Sequence, residues 1–212
     1  MKALAPEVVS LLKANGILPV VCLKSEQEMN TLVDAVLASP VRCIEITLRH
    51  PYAITAITEI KKNHPELIVG AGTVLTEENL QAAIDAGADY CVSPGYDEEL
   101  VKKALEKGMF FLPGCITPTE ILRAGKLGLS MIKFFPSESL GGVKTMKLYE
   151  GALADFTFIP TGGITLNNLP DYLSCKNVIA CGGSYMVPKD LMAAGDSAAI
   201  AKIMNECTEI RK

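Results

Sequence analysis

The chain has 212 residues, 49% of them apolar, with a formal net charge of −4. That length and apolar content suit a single domain spanning 1–212, and an acidic balance with no basic block argues against nucleic acid or an anionic membrane as partner. The longest apolar run, Ile17 to Leu23, is only seven residues and contains Pro19, against the roughly 20 residues that a membrane-crossing helix needs.

The first segment, Met1 to Asn15, carries Leu4, Val8, Leu11 and Leu12 at helical spacing. Glu7 and Lys13 interrupt any apolar stretch of the kind a signal peptide requires, so the segment is expected to be an extra N-terminal helix. Eight short apolar runs follow, beginning near Ile17, Val41, Leu67, Ala88, Met109, Ser130, Phe156 and Asn177. Between most of them lies a helical pattern with a start signal. Ser25 followed by Glu28, and Thr117-Pro118-Thr119-Glu120, fit the capping box; Asp97 and Thr165 sit where N-caps belong. Gly87 and Gly108 stand where helices should stop. Strands alternating with helices predict a parallel sheet with helices outside. The expected architecture is a closed (β/α)8 TIM barrel with the extra helix covering its bottom; a doubly wound open sheet is the alternative. The seven cysteines (22, 43, 91, 115, 175, 181 and 207) are odd in number, dispersed, and form no CxxC. Reduced thiols in apolar runs point to a cytoplasmic location.

In such barrels the active site lies at the carboxyl ends of the strands, and the unusual residues of this chain gather there. Strand periodicity puts Cys43, Glu45 and Thr47 on one face of the second strand and Ile44 and Ile46 on the other. Glu45 then points inward with Arg49 just beyond; the plainer reading is a structural ion pair between those two. The third strand ends in Gly70-Ala71-Gly72-Thr73, where glycines let a ligand approach the backbone or simply make a tight turn. Ser93-Pro94-Gly95 and Pro113-Gly114 read as turns with pocket lining as a secondary role. On the sixth strand Lys133 is a lone cation in Met131-Ile132-Lys133-Phe134-Phe135-Pro136. A buried lysine that sheds its proton is the amine that forms Schiff bases with carbonyl substrates. The plain alternative is a lysine whose stem is buried and whose head reaches water. Thr161-Gly162-Gly163 and Cys181-Gly182-Gly183-Ser184 end the last two strands. Glycine pairs there present backbone N–H groups, the usual phosphate site of this architecture. The only histidines, His50 and His64, have no well-spaced partner ligand, so no metal is expected.

The segments IEITLR (44–49), VGAGTVLT (69–76), SPG (93–95), LPG (112–114), IKFFP (132–136), PTGGI (160–164) and GGS (182–184) together resemble the bacterial 2-keto-3-deoxy-6-phosphogluconate aldolase / 4-hydroxy-2-oxoglutarate aldolase family. The resemblance covers essentially the whole chain. It implies a class I aldolase with no cofactor, acting on a keto acid, commonly phosphorylated, and assembled as a homotrimer. Lys133 matches the Schiff-base lysine and Glu45 the general acid/base. Arg49 and Thr73 match the residues that hold the pyruvate carboxylate, and Phe135 matches a wall of the pyruvate pocket. Thr161 matches a residue near the reacting hydroxyl. Gly162, Gly163 and Ser184 match contacts at the phosphate end. Two features depart from the pattern. The first strand lacks the arginine that some members use for phosphate, leaving Lys24 as its nearest cation, and His50-Pro51 and Cys115-Ile116 are unusual neighbours.

Two other readings compete with the aldolase. One is a non-catalytic phosphosugar-binding barrel in which Glu45 and Lys133 form a structural pair, since fold alone does not specify function. The other is a phosphosugar isomerase or synthase, which would form no covalent adduct with pyruvate.

Overall fold

The computed structural model describes residues 6–211. Among the described residues there are nine parallel strands: β1 (Ile17–Val21), β2 (Cys43–Thr47), β3 (Ile68–Gly72), β4 (Tyr90–Val92), β5 (Phe110–Leu112), β6 (Gly114–Cys115), β7 (Met131–Phe134), β8 (Thr157–Pro160) and β9 (Cys181–Gly183). The extra N-terminal helix is α1 (Pro6–Asn15); Leu4, expected to belong to it, lies outside the described residues. The connecting helices are α2 (Glu26–Leu37), α3 (Tyr52–Asn63), α4 (Glu77–Asp85), α5 (Glu98–Glu106), α6 (Pro118–Lys126), α7 (Gly142–Ala152), α8 (Leu169–Leu173) and α9 (Lys189–Ala194), with α10 (Ser197–Glu209) closing the chain.

The expectation of a closed eight-stranded TIM barrel is corrected. Hydrogen bonding divides the strands into a six-stranded parallel sheet, β5-β4-β3-β2-β1-β9, and a separate three-stranded sheet, β6-β7-β8. The arrangement is an open α/β fold. Both interruptions have a local cause. Pro113 separates β5 from β6, and a proline has no N–H to continue the ladder. Pro160 ends β8, which meets the last strand region only through isolated bridges, Phe158 to Val178 and Thr161 to Gly182. The last strand begins at Cys181 rather than near Asn177 for the same reason.

The pleat sorts the side chains into two layers. Ile44, Ile46, Ile132 and Phe134 join the large cluster that the helices complete with residues such as Leu32, Ile57 and Ile121. Leu18, Cys43, Tyr90, Leu112, Met131 and Ile159 form a second cluster on the opposite face, and Val8 and Leu12 of α1 pack into it. Glu45 and Lys133 therefore sit on the face that the helices α2–α10 do not cover, as their alternation with aliphatic neighbours predicts.

Helix starts follow the sequence closely. Ser25, Thr76, Asp97 and Thr117 each accept an N–H from the first turn, and Thr117 with Glu120 completes a capping box. Thr165 is the exception. The α8 N-cap is Asn168, whose Oδ1 takes the Thr165 N–H at 2.8 Å, so Thr165 belongs to the turn before the helix.

Candidate active site

β2 and β7 supply the centre of the site. Lys133 Nζ lies 3.0 Å from Glu45 Oε1 and 3.3 Å from Oε2, with the residues 6% and 1% exposed respectively. Residues 88 apart in sequence are thus paired inside the protein. Two ladders hold them: Glu45 is in register with Val20 on β1 and Gly70 on β3, and Lys133 with Gly114 on β6 and Ile159 on β8. Desolvating two charges is costly, so the pair persists only because each head group satisfies the other at short range. Of the two partners the sequence allowed for Glu45, Arg49 and Lys133, the one that pairs with it is Lys133. Lys133 is 6% exposed and its head group is turned to Glu45.

Glycines make the room. A Cβ on Gly72 would lie 2.2 Å from Glu45 Oε1 and 2.7 Å from its Cγ. The sequence allowed this glycine to admit a ligand to the backbone or simply to make a tight turn; in the structure the Glu45 side chain fills the space beside it. A Cβ on Gly114 would likewise meet the Pro94 carbonyl oxygen at 2.2 Å, which locks the β4 and β6 ends together beside Lys133.

Several other expected residues lie just beyond the ends of neighbouring strands. Phe135 follows Lys133, its ring centroid 5.5 Å from Nζ, a distance at which a cation is attracted to the ring face. Thr73, directly after β3, has φ +61°, a left-handed conformation that is a genuine outlier for a β-branched residue. It is held there from both sides, by Leu48 N–H to Gly72 O at 2.8 Å and Val74 N–H to Val92 O at 3.0 Å. Strained backbone of this kind collects at ligand-binding positions. Thr161 is buried after β8, its hydroxyl 3.4 Å from Ile159 O and close enough to β9 that only a glycine fits at 182. Gly162 and Gly163 have φ of +95° and +81°.

Arg49 and Ser184 lie on the exposed rim. Arg49 Nε donates to Thr47 Oγ1 at 3.1 Å, and Thr47 Oγ1 donates to Val21 O at the same distance, tying the guanidinium to the strand face that carries Glu45. A cavity of about 360 Å³ opens beside it, lined by Cys22, Lys24, Arg49, Ser184 and Lys189 among others. Lys189 and Cys22 were not singled out from sequence, because nothing in their local pattern marks them. His50 is not part of this cavity; its Nδ1 accepts the Tyr52 N–H at 3.2 Å at the start of α3.

The thiols near the centre are not competing nucleophiles. Burial pushes Cys43 and Cys115 up to about 12, so both are neutral at physiological pH. Among the described residues no three His, Cys, Asp or Glu side chains come together as a metal ion would need.

Comparison with known proteins places the chain in a family. The family model described as "KDPG and KHG aldolase" matches residues 8–203. The KHG/KDPG aldolase of Escherichia coli K12 is 40% identical over 200 residues, covering 94% of each chain. The 2-dehydro-3-deoxy-phosphogluconate aldolase of Treponema pallidum is 40% identical over 194 residues, 92% of each chain. The crystal structure of the KDPG aldolase of Legionella pneumophila, with pyruvate captured at low pH as a covalent carbinolamine intermediate, superimposes with a TM-score of 0.89 at 30% identity, covering 93% of this chain and 96% of that one. The chain belongs to the KDPG and KHG aldolase family.

Proposed function

We infer that the chain is a lysine-dependent class I aldolase. It cleaves 2-keto-3-deoxy-6-phosphogluconate to pyruvate and glyceraldehyde 3-phosphate, and 4-hydroxy-2-oxoglutarate to pyruvate and glyoxylate. The observation that carries this reading is the buried Lys133–Glu45 pair, an amine and a carboxylate in mutual contact in a site that faces away from the helices α2–α10. A nucleophile with a proton carrier at hydrogen-bond distance is the arrangement that carbonyl addition needs.

The Lys133 amine adds to the C2 ketone, giving a carbinolamine that loses water to form a protonated imine. Glu45, 3.0 Å from that nitrogen, carries protons through both steps. The imine withdraws electrons, Glu45 takes the proton of the C4 hydroxyl through a water, and the C3–C4 bond breaks. The aldehyde leaves. The enamine that remains is protonated at C3 and hydrolysed to pyruvate, which restores the free lysine. Arg49 and Thr73 hold the keto-acid carboxylate, the guanidinium offering paired donors. Phe135 walls the pyruvate pocket and Thr161 faces the reacting hydroxyl. Gly162, Gly163 and Ser184 take the phosphate end, with backbone N–H groups supplying the field.

The enzyme works as a homotrimer in the cytoplasm under this reading. The homotrimer is what the resemblance to the family implies, and the free state of all seven cysteines is compatible with the cytoplasm.

Borohydride reduction in the presence of pyruvate, followed by tryptic mass mapping, tests the mechanism. A reduced adduct on Lys133 blocks cleavage there and fuses the peptide 127–133 to the peptide 134–144. Folded protein that forms no adduct and releases no pyruvate from either keto acid would overturn the reading in favour of a binding protein.

A further inference from the structure

The turn between β7 and α7 lies directly behind the Thr161–Gly163 loop. Ser137 N–H donates to Thr161 O at 2.8 Å, and Glu138 N–H donates to Gly162 O at 3.1 Å. The third carbonyl of the loop, Gly163 O, accepts from Asn168 Nδ2 at 3.1 Å. These peptide bonds are trans, Phe135-Pro136 being the cis bond among the described residues. In a trans amide the N–H points opposite to the C=O. Anchoring the Thr161 and Gly162 carbonyls on the 137–138 turn therefore directs the N–H groups of Gly162 and Gly163 to the other side.

The turn is itself braced by α8. The Tyr172 hydroxyl donates to Glu138 Oε1 and lies 2.8 Å from Ser137 Oγ. A phenol has one proton, so with that proton on Glu138 the serine hydroxyl is the donor to tyrosine. Tyr172 and Ser137 are fully buried. Burial and the Glu138 carboxylate push the phenol upward, which keeps its proton in place. The packing is close on both sides. A Cβ on Gly163 would lie 2.5 Å from Glu138 Cβ, and one on Gly142 would lie 2.7 Å from Glu138 Oε1 and 2.9 Å from the Tyr172 oxygen. None of these side chains is needed for the lysine chemistry, and two are expensive to bury unless they serve the fold or the loop.

We propose that Glu138 and Tyr172 are positioning residues for phosphorylated substrate: they fix the β7–α7 turn, the turn holds the two carbonyls, and the glycine N–H groups are thereby aimed at the phosphate. This rests on the assignment of Gly162, Gly163 and Ser184 to the phosphate end. It predicts a split between substrates that a purely structural brace would not produce.

Steady-state kinetics of Tyr172→Phe, Glu138→Ala and Glu138→Gln on both keto acids test it, with thermal unfolding to confirm the fold and Ser184→Ala as reference. Tyr172→Phe and Glu138→Ala are expected to raise KM for the phosphorylated substrate about 5–20-fold, leaving 4-hydroxy-2-oxoglutarate within about twofold. Glu138→Gln keeps an acceptor for the phenol and should restore most of the loss. Equal effects on both substrates, or no effect on KM in folded Tyr172→Phe, would overturn the proposal. If Ser184→Ala shifts the phosphorylated KM and the brace variants do not, the brace fails alone. If Ser184→Ala also leaves that KM unchanged, the phosphate-end assignment itself fails and takes the brace with it.

Discussion

The Lys133–Glu45 pair and the Arg49–Ser184 rim belong to one proposed site but are held in different ways. The pair stands on strands, each member in register with a neighbour on either side, and is almost wholly excluded from water. Arg49 and Ser184 stand on loops, are exposed, and Arg49 is oriented by a single side-chain hydrogen bond to Thr47. The difference matches the two tasks. Covalent chemistry needs two groups fixed to within a fraction of an ångström, which ladders provide. Holding the charged ends of a substrate, the role proposed for Arg49 at the carboxylate and Ser184 at the phosphate, tolerates groups that adjust, which loops provide.

Breaking the pair should have the largest effect. Lys133→Met is expected to abolish both the pyruvate adduct and turnover. It also leaves Glu45 buried without a partner, at a cost of about 3–5 kcal/mol seen in chemical denaturation. Turnover that survives the substitution would mean the pair is only structural.

Gly72→Ala should come next, because it disturbs the pair without removing either member. The new Cβ cannot coexist with Glu45 Oε1 at 2.2 Å, so the carboxylate must move away from Lys133. A displacement on this scale should lower kcat about 10²-fold while borohydride still traps the lysine. Equal activity in the alanine variant would show that the carboxylate position is not critical.

At the rim the effect should be smaller and should appear in KM. Arg49→Gln removes charge-assisted hydrogen bonds worth about 1.5–3 kcal/mol, a rise of roughly 10–100-fold in KM for both keto acids. A loss confined to the phosphorylated substrate would reassign Arg49 to the phosphate end.

The last effect comes from neither the pair nor the rim and is negligible near neutral pH. Cys43, Cys91, Cys115 and Cys207 are each pushed by burial from 9.0 up to about 12. Their folded values exceed their unfolded ones, so the stabilisation of the neutral thiol is complete below about pH 9 and is lost as pH rises from 9 towards 12. The thermal midpoint should be insensitive to these groups between pH 7 and 8.5 and decline above 9. A decline that begins well below 9 would point to other groups.

Much of the site was readable before folding because the signal was local. Alternation on β2 placed Glu45 opposite Ile44 and Ile46, and alternation on β7 placed Lys133 opposite Ile132 and Phe134. Capping at Ser25, Asp97 and Thr117 is a contact between residues three apart, so it too survives in the sequence. Closure of the sheet was misjudged. Strand count and spacing suggest a ring, but whether neighbouring strands form continuous ladders depends on where Pro113 and Pro160 fall against their partners. Cys22 and Lys189 were missed because they share a cavity with Arg49 only through the approach of β1 and β9.

Local pattern is enough for the strand and helix rhythm, the shared face of Glu45 and Lys133 away from the aliphatic residues, and the glycine-rich ends of the last strands. These follow from periodicity and conformational preference over a few residues. Long-range packing selects Lys133 over Arg49 as the partner of Glu45, fills the space beside Gly72 with a carboxylate, and brings Tyr172 to Glu138 behind the Gly162–Gly163 loop. Those outcomes depend on distances between residues far apart in the chain, which strand register and close packing set and no local pattern records.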